Sequence, residues 1–239
     1  MHIHLIHHER FLHIFIVGKE APQPTKTPYG NRIPKKVLWG CTLLNINHTS
    51  LREGNANVTG LPLTKGNLKQ IRQQMGYVFQ DSDSQLFMST IFEDVAFAPR
   101  NYGYNREETE RMVIDALKQV GLENCRDKHV YKLSGGEKKL ASIATVLAMQ
   151  SKLMLLDEPT VGLDPRNRRR IIQVLNQLPC AKIIASHDLD FIYDTCQRVI
   201  LLSEKGIAAT GTKEEVLRNQ QLLESHGLEL PLSFSRIKE

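Results

Sequence analysis

Two adjacent carboxylates directly follow a run of apolar residues near the middle of the chain. Leu153 to Leu156 lead into Asp157 and Glu158. Placing acids beside a hydrophobic strand is unfavourable unless a cation or a reacting group requires them there. At the carboxyl end of a parallel strand, Asp157 could hold magnesium through its waters, and Glu158 could polarise a water for attack on a phosphate. A strand that simply ends in surface acids is the alternative, and this element alone does not exclude it.

Two further groups of residues could bind a phosphate. His187 follows the next apolar run in the string SHD, where a histidine could sense or stabilise a terminal phosphate. Ser134, Gly135 and Gly136 open a helix in the string LSGGEKK, and the free N–H groups of a helix start favour an anion. Taken singly, an ordinary histidine and a helix cap with a tight turn explain these residues equally well.

The elements that must position these residues are strands and helices in alternation. The runs LMLLD (153–157), KIIAS (182–186) and RVILL (198–202) are apolar without alternation, which is typical of strands covered on both faces of a parallel sheet. SEKG (203–206) predicts a hairpin turn. The sequence therefore predicts an α/β protein with a mostly parallel sheet.

Helix boundaries are indicated by capping residues. Asn105 with a carboxylate three positions later predicts a helix over 106–120, and Gly121 is placed to end it. A second helix is predicted downstream of Gly136 from apolar residues at helical spacing. Thr212 with a glutamate three residues later predicts the cap of a helix near the C-terminus.

The composition is that of an ordinary globular chain. The 239 residues are 41% hydrophobic and 24% charged, so one compact, soluble unit is expected. The longest dense apolar stretch, Phe11 to Val17, is much shorter than the roughly 20 residues that span a bilayer. Four scattered cysteines suit a reducing cytosol, and the net charge of +5 is spread along the chain, so charge alone selects no partner.

Five ordered motifs together resemble the ATP-binding-cassette (ABC) ATPase family. LSGGE is similar to the family signature, LMLLDEP to its Walker B strand, GLD (162–164) to its D-loop, SHD (186–188) to its switch histidine and YVFQ (77–80) to its Q-loop. The resemblance runs from about Leu61 to the C-terminus. It implies an ABC-type P-loop NTPase domain over 61–239 with a helical subdomain at about 85–150, preceded by an atypical segment, 1–60.

The resemblance also implies roles for single residues. In this family two subunits sandwich two ATP molecules with magnesium, and each site combines residues of both subunits. Glu158 would be the general base beside the switch His187, Asp157 and Gln80 would serve the metal, and Asp164 would couple the sites. The second subunit would contribute its Ser134, Gly135 and Gly136 to the nucleotide.

Short segments resemble one branch of the family in particular. QDSDSQLF after the Q-loop, EDVAFAPRNYG, and the tail LLESHGLELPL are similar to the cobalt and energy-coupling-factor branch, which supplies ATPases to importers of transition metals and vitamins. The resemblance implies peripheral attachment at the cytoplasmic face of the cell membrane. The segment after Gln80 would contact an integral membrane subunit, and no nucleic acid is expected as a partner.

The chain departs from the family pattern in its phosphate loop. The string G-x-x-x-x-G-K-[ST], whose N–H groups and lysine hold the phosphates, does not occur in the sequence. In one interpretation Gly18-Lys19 after the strand-like HIFIV begins an altered loop, and the family pattern resumes near Leu61. In the other, Tyr29-Gly30 is the adenine-stacking segment and the loop itself has been deleted. Apart from these features, prolines interrupt any periodicity in residues 20–60, which predicts extended or irregular structure.

The altered loop leaves three functional classes open. The first is an ATPase subunit that drives an importer as a homodimer or heterodimer. The second is a non-hydrolysing partner or a pseudogene product, since a homodimer without the loop should not hydrolyse ATP at a useful rate. The third is a soluble ABC ATPase acting on nucleic acid or ribosomes, although the long coiled-coil insertion or second cassette usual in such proteins is not found in the sequence.

Overall fold

The computed structural model describes residues 57–203 and 206–235, together with the backbone of 13–17. The β-strands of these residues are, in chain order, β1 His13–Val17, β2 Asn57–Val58, β3 Leu61–Pro62, β4 Met75–Val78, β5 Leu153–Asp157, β6 Ala181–Ala185, β7 Arg198–Ser203 and β8 Gly206–Thr212. The α-helices are α1 Leu68–Gln74, α2 Ile91–Asn101, α3 Arg106–Gln119, α4 Gly135–Leu147, α5 Pro165–Gln177, α6 Leu189–Thr195, α7 Lys213–Leu217, α8 Gln220–Ser225 and α9 Leu232–Ser235.

A six-stranded sheet with the order β4-β5-β6-β1-β7-β8 lies at the centre of the described structure. All neighbouring strands pair in parallel except β7 and β8, which form an antiparallel hairpin. Every residue of β5 is buried, as predicted from its unbroken apolar run. The predicted strands and the mostly parallel sheet are confirmed, and the carboxyl ends of β4, β5, β6, β1 and β7 therefore meet at one edge.

Helix α3 shows how local sequence signals set its bounds. The Asn105 side chain accepts from the Glu108 N–H at 2.9 Å, and the Glu108 carboxylate accepts from the Asn105 N–H at 3.0 Å. Gly121 adopts φ +65°, and the next N–H, of Leu122, donates to the Leu117 carbonyl at 2.8 Å, which closes a Schellman turn. The helix predicted over 106–120 is confirmed over 106–119.

Helices α2, α3 and α4 form a group beside the sheet. Their buried residues include Ile91 of α2, Val113 of α3 and Leu140 of α4, each at most 1% exposed. Gly76 of β4 lies so close to α4 that an added Cβ would overlap the side chain of Val146. The helical group is thus packed against β4 through the C-terminal end of α4.

The hairpin of β2 and β3 begins within the segment 20–60. Its turn residues Thr59 and Gly60 have φ of 50° and 84°, and two consecutive positive φ values are the geometry of a two-residue hairpin turn. Extended or irregular structure was predicted for 20–60, and Asn57 and Val58 are extended within this hairpin. Residues 20–56 of that interval lie outside the described residues.

The C-terminal elements agree with the sequence. β7 and β8 flank the predicted turn, whose two central residues, 204 and 205, are outside the described set. Thr212 caps α7 through the predicted capping box with Glu215. Among the described residues, no helix has the length and apolar character needed to cross a membrane.

Candidate functional site

The carboxyl edge of the sheet brings the predicted acids together with the segments that follow β4 and β6. Asp157 is level with Ala185 of β6, and Leu156 is level with Val78 of β4. Asp157 is only 8% exposed, and its Oδ2 accepts a hydrogen bond from the Tyr77 hydroxyl at 3.2 Å. The carboxylate is therefore held in place from the neighbouring strand.

Glu158 has an unusual backbone conformation. Its φ is +42°, in the left-handed region that residues other than glycine seldom adopt. Its N–H donates to the Ala185 carbonyl at 2.8 Å, so the chain turns sharply at the end of β5. Such a conformation is unfavourable by about 1–3 kcal/mol and is found where the surrounding structure enforces it, often at functional sites.

This turn directs the Glu158 carboxylate at the end of β6. The Ser186 hydroxyl donates to its Oε2 at 2.8 Å, and Nδ1 of His187 lies 2.7 Å from its Oε1. The Glu158 side chain is 19% exposed, whereas that of His187 is 72% exposed. The structure thus places the two predicted catalytic residues in contact, with the histidine ring open to an incoming group.

Gln80 follows β4 at the same edge and is half-buried. Its side-chain amide makes no hydrogen bond to other residues in the described part of the chain. The amide oxygen of Gln80 and the carboxylate of Asp157 are hard oxygen donors, the kind that magnesium prefers. This donor set fits the predicted Mg²⁺ ion.

Ser134, Gly135 and Gly136 form the start of α4, as predicted. The Ser134 hydroxyl accepts from the Glu137 N–H at 3.2 Å, and the Glu137 carboxylate accepts from the Ser134 N–H at 2.8 Å. The hydrogen bond from the Ser134 backbone N–H is the largest cause that lowers the pKa of the Glu137 carboxyl. Ser134 and Gly135 are exposed, so the start of the helix faces outward.

Asp164 caps α5 and is tied to Asn167. The Asp164 carboxylate accepts from the N–H groups of Arg166 and Asn167 at 2.9 and 3.0 Å, and from the Asn167 side-chain amide at 2.6 Å. The hydrogen bonds from Asn167 lower the pKa of Asp164. An added Cβ at Gly136 would overlap the Asn167 side chain, so the D-loop helix lies directly against the signature helix.

The predicted residues fall into two groups within one chain. Gln80, Asp157, Glu158 and His187 gather at the carboxyl edge of the sheet. In the described part of the chain, no hydrogen bond or ion pair joins the Ser134-to-Gly136 group to these residues. Tyr29, the predicted adenine platform, lies outside the described residues.

The sequence interpretation missed several residues that support the site. Arg168 of α5 forms a bidentate ion pair, at 2.8 and 3.0 Å, with Asp188, which is the residue after the switch histidine. Asp188 also caps α6 and donates its own N–H to the Ser186 hydroxyl at 3.2 Å. The sequence does contain an arginine just inside α5 and an aspartate in SHD. The two residues are 20 positions apart, so no local pattern predicts that they form a pair.

Comparison with known proteins decides the family. The family model described as ABC transporter matches residues 41–161. The chain belongs to the ABC transporter family. The match begins at Cys41, upstream of Leu61, where the resemblance of the motifs begins.

The relatives of this ABC protein include named transporter subunits. The energy-coupling factor transporter ATP-binding protein EcfA of Carboxydothermus hydrogenoformans is 42% identical over 195 residues, which cover 80% of this chain and 72% of that protein. EcfA2 of Methanospirillum hungatei is 38% identical over 192 residues, or 78% of this chain and 48% of that protein. The solved structure of cbiO1 from Clostridium perfringens, part of the ABC transporter complex cbiONQ, aligns with a TM-score of 0.68 at 27% identity, covering 95% of this chain and 87% of that one.

Proposed function

We propose that this chain is an ATP-binding subunit of a membrane importer and acts in a dimer with a second ABC ATPase subunit. The observation that carries the proposal is the division of the site. The acids and the switch histidine lie at the sheet edge, whereas the exposed start of α4 turns its N–H groups outward. A nucleotide on one subunit can therefore be completed by the helix start of another.

At the sheet edge, Glu158 would act as the general base. Ser186 and His187 hold its two oxygens, which fixes the carboxylate for accepting a proton from an attacking water. With Nδ1 of His187 directed at Glu158, Nε2 lies on the exposed side of the ring, where an N–H at Nε2 would donate to a phosphate oxygen. The pair thus connects the base to the position of a terminal phosphate.

Asp157 and Gln80 would hold Mg²⁺ bound with the nucleotide. When bound, the ion supplies positive charge to the phosphate oxygens. The Tyr77 hydroxyl keeps Asp157 directed along the edge. Asp164, fixed by Asn167, would connect the two nucleotide sites across the dimer.

The absence of the G-x-x-x-x-G-K-[ST] string favours a heterodimer. Removing even one buried charged partner at an interface typically costs about 2–5 kcal/mol, and this string provides several phosphate ligands at once. A site built on this chain's own sheet edge would therefore turn over poorly. Paired with an intact relative, the chain would still provide Ser134, Gly135 and Gly136 to one working site.

For the cargo we propose a transition metal ion or a vitamin, imported through integral membrane subunits. The sequence segments after the Q-loop and near the C-terminus support this, as does the similarity to proteins named energy-coupling factor transporter subunits. The chain would then lie peripherally at the cytoplasmic face of the cell membrane. The exposed, edge-to-face pair Phe87 and Phe97 after the Q-loop offers an apolar contact for a membrane subunit.

Gly135 provides a sharp test of the helix start. No atom lies within 4 Å of a Cβ added at Gly135, so Gly135→Asp should fold normally while it places a negative charge against the nucleotide. Gly66→Asp is the matched control, because a Cβ there also meets nothing within 4 Å and Gly66 is remote from the motifs. Magnesium-dependent ATP hydrolysis is measured for the chain alone and mixed with an intact ABC ATPase subunit from the same cell.

The outcomes separate the possibilities. Turnover in the mixture above that of the intact subunit, removed by Gly135→Asp but not by Gly66→Asp, supports the heterodimer. Turnover by the chain alone that Glu158→Gln abolishes would show that residues 1–60 build a working phosphate site. No fluorescent-nucleotide binding by the folded chain alone, and no gain over the intact subunit in the mixture, would indicate a non-hydrolysing remnant and contradict the proposal.

A further inference from the structure

A buried lysine connects the signature helix to the Q-loop. Lys139 of α4 is 2% exposed, and its Nζ donates to the carbonyls of Phe79 at 2.8 Å and Gln80 at 2.7 Å. We propose that Lys139 is a positioning residue that makes the Q-loop and the signature helix move as one body. Lys139 contacts the backbone carbonyl of Gln80 and is proposed to act through that residue.

The position of the lysine follows from the physics of burial. An ammonium group withdrawn from water is strongly destabilised unless acceptors replace the lost water. Two consecutive carbonyls from the turn after β4 provide that replacement, so the backbone at Phe79 and Gln80 cannot leave α4 without exposing a buried charge. The link is therefore stiffer than an exposed ion pair would be.

Gln85 joins the same two elements independently. Its Oε1 accepts from the Phe79 N–H at 2.9 Å, while its Nε2 donates to the Ser142 carbonyl at 2.8 Å and to the Thr145 hydroxyl at 2.9 Å. One side chain thus bonds to the Q-loop at one end and to α4 at the other. Lys139 and Gln85 together hold both the carbonyl and the N–H of Phe79.

A third contact lies at the surface of the same junction. Lys138 forms an ion pair with Asp83 at 2.6 Å. We name the residues Lys139, Gln85, Lys138 and Asp83 the Q-loop clamp. The clamp connects α4 to the chain from Phe79 to Gln85, which is the stretch that precedes the exposed Phe87.

The clamp has a consequence for a subunit whose own site turns over poorly. This step rests on the proposed function, in which Ser134 at the start of α4 contacts nucleotide held by the partner subunit. Closure of that site would pull on α4, and Lys139 would carry the movement to Gln80 and to the segment facing the membrane subunit. The chain would thereby transmit the partner's ATP cycle to the transporter.

The first test is hydrogen exchange on the full chain. Lys139→Met is expected to raise exchange of the amides at 79–86 by about tenfold, the effect of losing a hydrogen bond to a charged group, with the amides of β5 unchanged. Lys182→Met is the matched control, because Lys182 is fully buried and also donates to two carbonyls, those of Leu178 and Cys180, away from the Q-loop. Unchanged exchange at 79–86, or the same increase in the control, would overturn the proposal.

A second variant allows the test to be made even if Lys139→Met does not fold. If Lys139→Met fails to fold, Gln85→Leu removes the independent link and should raise exchange in the same segment. A normal exchange pattern in Gln85→Leu would then count against the clamp.

The second test separates transmission from catalysis. In the mixed complex reconstituted with its membrane subunits, Lys139→Met should leave basal ATP hydrolysis intact and lose its stimulation by the membrane subunits. A merely destabilising change would lower both rates together, and preserved stimulation would refute transmission. If the complex shows no turnover sensitive to Gly135→Asp, the proposed function fails, while the exchange result still decides whether the clamp exists.

Discussion

The ion pair between Arg168 and Asp188 should contribute measurably to stability because of where it lies. Both Arg168 nitrogens involved bond to the carboxylate, at 2.8 and 3.0 Å, and the two side chains are 26% and 28% exposed. Hydrogen bonds to charged groups contribute about 1.5–3 kcal/mol, and partial exposure places this pair toward the lower end. We therefore expect Arg168→Met to reduce the free energy of unfolding by about 2 kcal/mol.

Asp188→Ala should have a larger effect than Arg168→Met. Asp188 also accepts from the Phe191 N–H at 2.9 Å at the start of α6, and losing such a cap costs about 1 kcal/mol. The sum is about 3 kcal/mol. For a chain of this size, 1 kcal/mol shifts the melting temperature by about 2–4 °C, so the two variants should melt about 4–8 and 6–12 °C lower.

The assay is a double-mutant cycle followed by urea and thermal unfolding. Arg169→Met is the control, because Arg169 is an exposed neighbour on the same helix and should change stability by no more than about 0.5 kcal/mol. A coupling energy of about 2 kcal/mol between Arg168 and Asp188 is expected. The reasoning is refuted if Arg168→Met resembles the control, or if the coupling is below about 0.5 kcal/mol.

Three further changes test other parts of the structure. Gly76→Ala should destabilise the chain by about 1–3 kcal/mol because its Cβ would overlap Val146, and Val146→Ala should restore part of the loss in denaturant unfolding. Asn105→Ala should lower stability by about 1 kcal/mol through loss of the α3 cap, read by circular dichroism during urea unfolding. Burial raises the pKa of Asp94, so the contribution of this carboxyl to stability is present at low pH and is lost as pH rises through the raised pKa. The stability of Asp94→Asn relative to wild type should therefore be higher at pH 7 than at pH 4, and thermal melts at both pH values would show the difference.

Elements with local signals could be predicted from the sequence. The cap of α3 needs only Asn105 and Glu108, three residues apart, and the buried strand β5 needs only four apolar neighbours, Leu153 to Leu156. The helix start at Ser134 is likewise local. Each of these signals lies within one turn or one strand, where spacing alone determines the structure.

Contacts between distant residues could not be predicted in the same way. Glu158 meets Ser186 across 28 residues, and Lys139 reaches Gln80 across 59. Lys139 did carry one signal, since it lies three residues after the buried Gly136 and four before the buried Ile143, on the packed face of α4. A lysine on that face must find acceptors, but the sequence does not say which segment of the chain supplies them.

The position of β1 in the sheet is a second feature that the sequence alone does not predict. HIFIV is strand-like by composition, but only the structure sets it between β6 and β7, with Ile16 level with Ala185 and Ile200. Because Ala185 is also level with Asp157, the end of β1 at Val17 lies at the carboxyl edge of the sheet. This supports the interpretation in which Gly18-Lys19 begins an altered phosphate loop.

The proposed connection between two nucleotide sites would have a physical route within one chain. Gly136 at the start of α4 has no side chain, and the space is filled by Asn167, whose amide donates to Asp164 at 2.6 Å. Any group larger than hydrogen at Gly136 would displace Asn167 and withdraw a donor from the Asp164 carboxylate. In the proposed dimer, the signature and the D-loop would therefore not act independently: a movement of α4 would change the support of Asp164, just as it would change the position of Gln80 through Lys139.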